Sequence, residues 1–409
     1  MKLKNNIPIA ITFVLLIMTI AFSIIKIRTP NPQNNTSQTH ATKSEPAIFN
    51  VGKTTDDMKG VWITHMELNM TGEADQSEKG FTKKFNEIAQ NCKSYGFNTL
   101  IVQVRPFCDA LYQSNYFPYS HILTGEQGEN PGYDPLKVMC KICQKYGLKI
   151  HAWINPYRIT LNNVPEELSD DNPAIQHSEY AIETESTTIL DPSNPEAREL
   201  IVNGIEEIIE KYDVDGIQFD DYFYPVDIEG RDSEQYEKYK SNAKGKTIMD
   251  IETWRKVNVN MLIAECYIAV HKLNKSIVFG ISPQGNLENN SQLSADVISW
   301  STAKGYVDYI CPQLYFSLEN PKLSFEDSLD SWTELELAQG VKLYAGLAGY
   351  KAGTDADEET WLDDNDVLKR EYEILKNNSK VSGVMLYSYS SLLNEDAEEE
   401  INNLKSVLN

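Results

Sequence analysis

The chain has 409 residues, 41% of them hydrophobic, with 37 Lys and Arg against 60 Asp and Glu and a formal net charge of −23. That length and apolar content suit one large globular domain or two ordinary ones and exclude a disordered chain. The charge excludes a nucleic-acid binder, because phosphate contacts need clustered Lys and Arg that release counterions; neutral or cationic partners fit better.

Lys2 and Lys4 precede an apolar run from Ile7 to Ile25, close to the ~20 residues that span a bilayer. A cleaved signal peptide is the competing reading. Its apolar core is shorter, and no small-x-small cleavage site closes this run, so residues 1–28 are read as an uncleaved signal anchor. No cysteine precedes Cys92, which removes a lipid-modified N-terminus. The positive flank stays cytoplasmic, so the chain is expected to be single-pass in the cell membrane with its bulk outside, or secreted if the signal is cleaved. Residues 29–58 are polar, contain Pro and lack hydrophobic period, the composition of a flexible tether. Residues 59–409 then form one domain.

Eight short β-rich runs follow, each succeeded by a helix-like segment. They are GVWIT (60–64), NTLIVQVRP (98–106), KIHAWINP (149–156), GIQFDDYF (216–223), IVFGISP (277–283), DYICPQLYF (308–316), KLYAGLAGY (342–350) and GVMLYSYS (383–390). This alternation predicts an α/β fold, a (β/α)8 TIM barrel. Helix-to-strand links such as YGFN, YGLK and YDVD are tight, whereas strand-to-helix links are long and rich in Tyr, Asp and Asn. Such elaborated βα loops gather at the C-terminal end of a barrel, where sites are built. A doubly wound open sheet would need a crossover reversal and a Gly-rich phosphate loop, and neither is visible. Cys140 and Cys143 form a CxxC within PLKVMCKICQKYG, an amphipathic helical pattern; with no second CxxC they read as core rather than zinc ligands.

Alternation along each strand sorts side chains onto two faces. Gln103 and Arg105 share one face of the second strand. His151, Trp153 and Asn155 share one face of the third, Gln218, Asp220 and Tyr222 of the fourth, and Cys311, Gln313 and Tyr315 of the sixth. The opposite faces are apolar and suit packing on helices, so the polar faces are expected to point into the lumen. Buried polar groups need partners, which a converging ring and a ligand supply; a purely structural polar network is the bland alternative. Asp220 is thus the chemical candidate, and Asp221 its positioner or a loop cap.

No H-E-x-x-H, His and Cys cluster or G-x-S-x-G occurs, so zinc and serine hydrolysis lack support, and no cofactor motif emerges. Asp220 and Asp221 could hold calcium, but that ion wants six to eight oxygens. Carboxylates and aromatics at a barrel mouth suit carbohydrate, since rings stack on Tyr and Trp and glycosidic cleavage needs two carboxyl groups. The loop after the second strand supplies Asp109 with Tyr112, Tyr116 and Tyr119.

The blocks RPFCDALY, HAWINPYR, LDPSNPEAR, DGIQFDDYFYP, GISPQGN and CPQLYF resemble the signature blocks of the glycosyl hydrolase-like 10 family, over about residues 59–389. The resemblance implies a (β/α)8 barrel at the bacterial cell surface acting on a polysaccharide, in one branch peptidoglycan glycan strands stripped of peptides. No obligate protein partner is implied. The motif positions it carries over are Arg105, Asp109, His151, Asn155, Tyr157, Arg158, Asp220, Asp221, Gln313 and Tyr315. DGIQFDDY also resembles the chitinase-type DGxDxDxE strand, but Tyr222 stands where the acid Glu would be, which argues against substrate-assisted chemistry. The expectation is therefore Asp220 as nucleophile or base and Asp109 as general acid, unless Arg105 pairs with Asp109 and Glu67 or Glu288 replaces it. His151 either hydrogen-bonds in the lumen or is a satisfied core histidine. The rival class is a non-catalytic glycan-binding barrel.

Overall fold

The computed structural model describes residues 54–408 apart from 55, 244 and 363; the anchor and most of the tether read at residues 1–58 lie outside the described residues. Eight parallel strands close a barrel. In chain order they are β1 (Met58–Ile63), β2 (Thr99–Arg105), β3 (Lys149–Ile154), β7 (Gly216–Phe219), β8 (Val278–Ile281), β9 (Tyr309–Ile310), β10 (Lys342–Leu347) and β11 (Val381–Leu386), and β11 pairs back onto β1. Between β3 and β7 the chain inserts a three-stranded antiparallel sheet of β4 (Arg158–Leu161), β5 (Ala181–Glu183) and β6 (Thr187–Leu190), in the order β4-β6-β5.

The crossover helices start where the sequence offers caps. Asp134 accepts from the Lys137 amide at 3.2 Å ahead of the helix Pro135–Tyr146, and Asn194 accepts from Glu196 and Ala197 ahead of Pro195–Lys211. Both helices carry Pro at their first position, where its missing N–H costs nothing. In Glu78–Ser94 the buried Phe81, Phe85, Ile88, Ala89 and Cys92 follow helical spacing and face the barrel wall. Cys143 is buried and Cys140 half-buried in their helix, and both are free thiols.

At the N-terminal end, polar residues just before the strands stitch neighbours together. Asn98 accepts from the Lys59 amide at 3.0 Å, Asp215 from Ile150 at 2.9 Å and Asp308 from Phe279 at 2.7 Å. His271 sits 3.0 Å from the same Asp308 carboxylate. These groups serve stability, since barrel sites form at the opposite end.

The lumen is filled rather than hollow. His151 and Tyr309 meet there at 3.0 Å between Nδ1 and the hydroxyl. Their rings fit because β7 and β8 offer glycines: a Cβ on Gly216 would lie 2.7 Å from the His151 ring, and one on Gly280 2.1 Å from the Tyr309 ring. Above them Trp62 Nε1 donates to Gln218 Oε1 at 3.0 Å. Met58, Ile101, Val278, Tyr344 and Met385 complete this core.

The strands are shorter at their C-terminal ends than the alternation predicts. β7 stops at Phe219, before Asp220, and β9 keeps only Tyr309 and Ile310 because Pro312 has no N–H to give a ladder. The polar ends therefore lie in the loops that crown the barrel.

Candidate active site

A cavity of about 250 Å³ opens at the C-terminal mouth, lined by Trp62, Trp153, Asp220, Asp221, Tyr222, Ser282, Gln284, Gln313, Tyr315, Tyr350 and Tyr387. The strands β1, β3, β7, β8, β9, β10 and β11 bring these together, β1 and β3 through Trp62 and Trp153 one residue before their ends and the others through residues past theirs. The rings form a continuous wall: Tyr387 lies 6.0 Å from Trp62, 5.8 Å from Tyr315 and 5.8 Å from Tyr350, between centroids.

Asp220 and Asp221 form the polar floor and are only 5% and 8% exposed. Asp220 Oδ2 accepts from Trp153 Nε1 at 3.1 Å and from Asn155 Nδ2, and Oδ1 accepts from the Tyr222 amide at 3.3 Å. Asp221 accepts from Gln284 Nε2 at 2.6 Å and from Gln313 Nε2 at 3.1 Å. Burial pushes the Asp220 carboxyl up to about 7; the Arg158 guanidinium opposes this and neighbouring Asp221 adds to it. Burial raises Asp221 as well, with the Gln284 and Gln313 amides pulling the other way. Two carboxyls this close in the chain and this dry titrate as a pair.

Arg158 holds the floor from one side. Its guanidinium lies between the rings of Phe107 and Tyr222, 4.8 Å and 4.9 Å from their centroids. Nε donates to Pro106 O and Nη2 to Asn155 Oδ1, both at 2.8 Å. Asn155 is thus fixed with its Nδ2 toward Asp220, helped by Gln103 Nε2 donating to its Oδ1 at 2.6 Å. Of the residues expected from the sequence, Asn155, Arg158, Asp220, Asp221, Tyr222, Gln313 and Tyr315 are brought together here. Asp221 is more central than a loop cap, because it faces the same cavity as Asp220.

Other candidates are placed elsewhere. The register of β2 against β3 shifts between Gln103 and Arg105, so Arg105 is opposite Ile154 and points outward. Its guanidinium packs over Phe117 at 4.5 Å, where a Cβ on Gly204 would lie 2.7 Å from Nη1. Tyr112 is buried on that same outer side against Tyr212, with ring centroids 5.7 Å apart, and does not line the cavity. Tyr157 is fully buried, past the end of β3, and lines no part of the cavity either. Asp109 is 0% exposed; its carboxylate accepts from the Phe107 amide at 3.1 Å and Gln127 Nε2 at 3.4 Å, and lies 3.6 Å from His121. It organises the loop after β2 and is walled off from the cavity, and among the described residues no ion pair joins it to Arg105.

His151 sits below the cavity, and burial holds its imidazole down to about 3, so it is a neutral core histidine. Glu67 ties two loops, accepting from the amides of Thr64 and Ser390 at 2.5 Å each and from Ser388 Oγ at 2.9 Å. Glu288 is exposed at the start of the 3-10 helix Leu287–Leu293. Among the described residues no group of three or more His, Cys, Asp or Glu side chains is arranged to hold a metal ion. Trp62, Gln284, Tyr350 and Tyr387 join the site without having been singled out. Extending the alternation from Met385 to Tyr387 on the last strand finds the most central of them.

An eight-stranded parallel barrel with buried carboxyls and an aromatic wall at its C-terminal mouth defines a glycosidase-type TIM barrel. The chain belongs to the glycosyl hydrolase-like 10 family, whose model matches residues 57–363. It is 34% identical over 352 residues to the glycosyl hydrolase YngK of Bacillus subtilis, covering 80% of this chain and 68% of that one. To the glycosyl hydrolase DigH of Escherichia coli K12 it is 29% identical over 390 residues, covering 85% and 87%. Among solved structures, the glycoside hydrolase domain of PgaB (BpsB) from Bordetella bronchiseptica aligns with TM-score 0.54 at 13% identity, covering 85% of this chain and 99% of that one. The β-amylase catalytic domain from Paenibacillus polymyxa does so with TM-score 0.54 at 11% identity, covering 87% and 98%. At these identities the structural likeness shows the shared barrel; family and relatives together support a glycoside-hydrolase type of function.

Proposed function

We propose that the protein is a glycoside hydrolase that cleaves cell-wall glycan, peptidoglycan glycan strands or a related polysaccharide, using Asp220 and Asp221 as its two carboxyl groups. The observation that carries this reading is the pair of adjacent, buried carboxyls on the floor of an aromatic-walled cavity. Glycosidic cleavage needs one carboxyl that holds a proton near neutral pH and another that is ionised, and environments that push two carboxyls apart supply both. Asp220, raised to about 7 and given only neutral donors by Trp153 and Asn155, is the proton donor to the leaving oxygen. Asp221, held by two amide donors, carries the charge that stabilises an oxocarbenium-like centre or activates water. This puts the proton on Asp220 rather than Asp109, because Asp109 does not reach the cavity.

The aromatic wall suits stacked sugar rings. The apolar run from Ile7 to Ile25 supports a membrane-tethered enzyme working outside the cytoplasm. Incubating the full chain with purified peptidoglycan and with peptide-free glycan strands, followed by mass analysis of released fragments, tests the reading. Soluble oligosaccharides are expected. Binding to strands without release of any fragment would leave a glycan-binding barrel instead.

A further inference from the structure

We propose that Gln103 is a positioning residue: it heads a chain of buried amides that fixes the acidic proton of Asp220 on Oδ1 and readies Oδ2 for the charge that forms when the proton leaves. This rests on the glycan-cleaving reading above.

Gln103 is the last side chain of β2 to face the lumen, opposite Trp153 of β3, because the register shift that follows turns Arg105 outward. Its Oε1 lies 2.8 Å from the His65 backbone nitrogen. A backbone N–H only donates, so the atom facing it is an oxygen and the other end of the amide is the nitrogen. His65 Nδ1, 2.8 Å from the same oxygen, carries the ring proton for the same reason. Gln103 Nε2 then donates to Asn155 at 2.6 Å, which makes the receiving atom Oδ1. Arg158 Nη2, which has no lone pair to offer, donates to that atom at 2.8 Å and assigns it independently. The orientation left for Asn155 turns Nδ2 to Asp220 Oδ2. Gln103 and Asn155 are 2% and 1% exposed, so water does not support either amide in a second orientation. Gln103 does not line the cavity and acts through Asn155.

Oδ2 also accepts from Trp153 Nε1 at 3.1 Å, and the indole N–H is likewise only a donor. A carboxyl oxygen has two in-plane lone pairs, and on Oδ2 both meet N–H groups. A proton there would displace one of them, whereas Oδ1 meets the Tyr222 amide alone, at 3.3 Å. The proton of the neutral carboxyl therefore sits on Oδ1. In the cleavage step the Oδ1–H bond breaks and the proton goes to the glycosidic oxygen, which keeps the electron pair of its bond to the anomeric carbon. Asp220 is left as a carboxylate whose Oδ2 already faces two donors, so the developing charge is met without reorganisation.

The test uses the full chain. Difference infrared spectra taken either side of about pH 7 isolate the carbonyl stretch of protonated Asp220, assigned by its loss in Asp220→Asn. We expect a wavenumber as low as that of a carboxylic acid in water, because the carbonyl oxygen is Oδ2 with its two donors. A higher wavenumber, that of a weakly bonded Oδ1 carbonyl, overturns the proposal whether or not any Gln103 variant folds. Gln103→Glu then reverses the chain. One new carboxylate oxygen still accepts from His65, and the other faces Asn155, whose amide turns its Oδ1 toward Asp220. Arg158, which shares that Asn155 atom with Gln103, is close enough to pair with the new charge. We expect the band to rise in wavenumber as the proton moves to Oδ2, and kcat on peptide-free glycan strands to fall about tenfold or more with KM within about twofold. An unmoved band, or a smaller fall in kcat, overturns the role of Gln103. Cleavage by Gln103→Glu at the full rate removes the amide chain and keeps the hydrolase, and the expected band shift with no cleavage by either chain does the reverse.

Discussion

Replacing Asp220 by Asn should make the protein a worse enzyme and a more stable one. The carboxyl is pushed from 3.8 to about 7 by burial, so between those values the folded chain keeps a proton that the unfolded chain releases. Because the folded state binds more protons there, stability falls as pH rises, and the full cost is present above about pH 7. A shift of about three units is worth at most ~4 kcal/mol. Asn carries no charge and avoids that cost. Its Oδ1 can still accept from Trp153 and Asn155, but its amide then faces the Tyr222 N–H, an opposition that costs about 1–3 kcal/mol. The net gain is therefore about 1–3 kcal/mol at pH 8 and turns into a net loss of about 1–3 kcal/mol near pH 4, where the ionisation cost is absent and only the opposition remains. Over the same substitution the proton donor is lost, and release of fragments from glycan strands should fall by about a thousandfold or more, roughly 4 kcal/mol in the barrier. The assay pairs initial rates with thermal unfolding at both pH values. A melting temperature that drops at pH 8 together with activity would mean that Asp220 holds the barrel together rather than working in it. Undiminished activity in a folded Asp220→Asn protein would remove it from catalysis altogether.

Asp221→Asn should cost about 10²–10⁴ in rate, since it removes the second carboxyl; a loss under tenfold in initial rates would return Asp221 to a positioning role. The rate of the unsubstituted chain should decline as pH rises through about 7, because Asp220 must be protonated to act, and a pH–rate profile that climbs through 7 would reverse its assignment. Gly280→Ala should destabilise the barrel by about 3 kcal/mol or more, because the new Cβ would lie 2.1 Å from the Tyr309 ring, and unfolding curves measure it directly. The full chain should sediment with membranes, and deletion of residues 1–28 should abolish export; a soluble form starting near Thr29 would show a cleaved signal instead.

The eight strands and the lumen position of Asp220 were legible because alternation holds while a strand is regular. It failed where regularity ended. The bulge before Arg105 flips that side chain outward, and no single residue in NTLIVQVRP announces the extra step. Beyond Ile154 the chain leaves the ladder, so spacing from Asn155 said nothing about Tyr157, whereas Arg158 starts a new strand and returns to the site. The inserted sheet was invisible because RITL, AIE and TTIL are too short to stand out from a polar loop. Asp109 looked available because its loop is rich in tyrosines; only packing showed it buried behind Phe107 and held by Gln127. The partners of Asp221 come from β8 and β9, and a contact across two strands is a property of register, not of local sequence.

The most direct measurement of the central claim is digestion of peptide-free glycan strands in water enriched in heavy oxygen, with mass analysis of the new chain ends. Hydrolysis through Asp220 and Asp221 places one heavy oxygen on each newly formed reducing end, and the label disappears with the fragments in the Asp220→Asn chain. Strands that stay intact, or fragments that carry no label, would contradict glycoside hydrolysis by this pair.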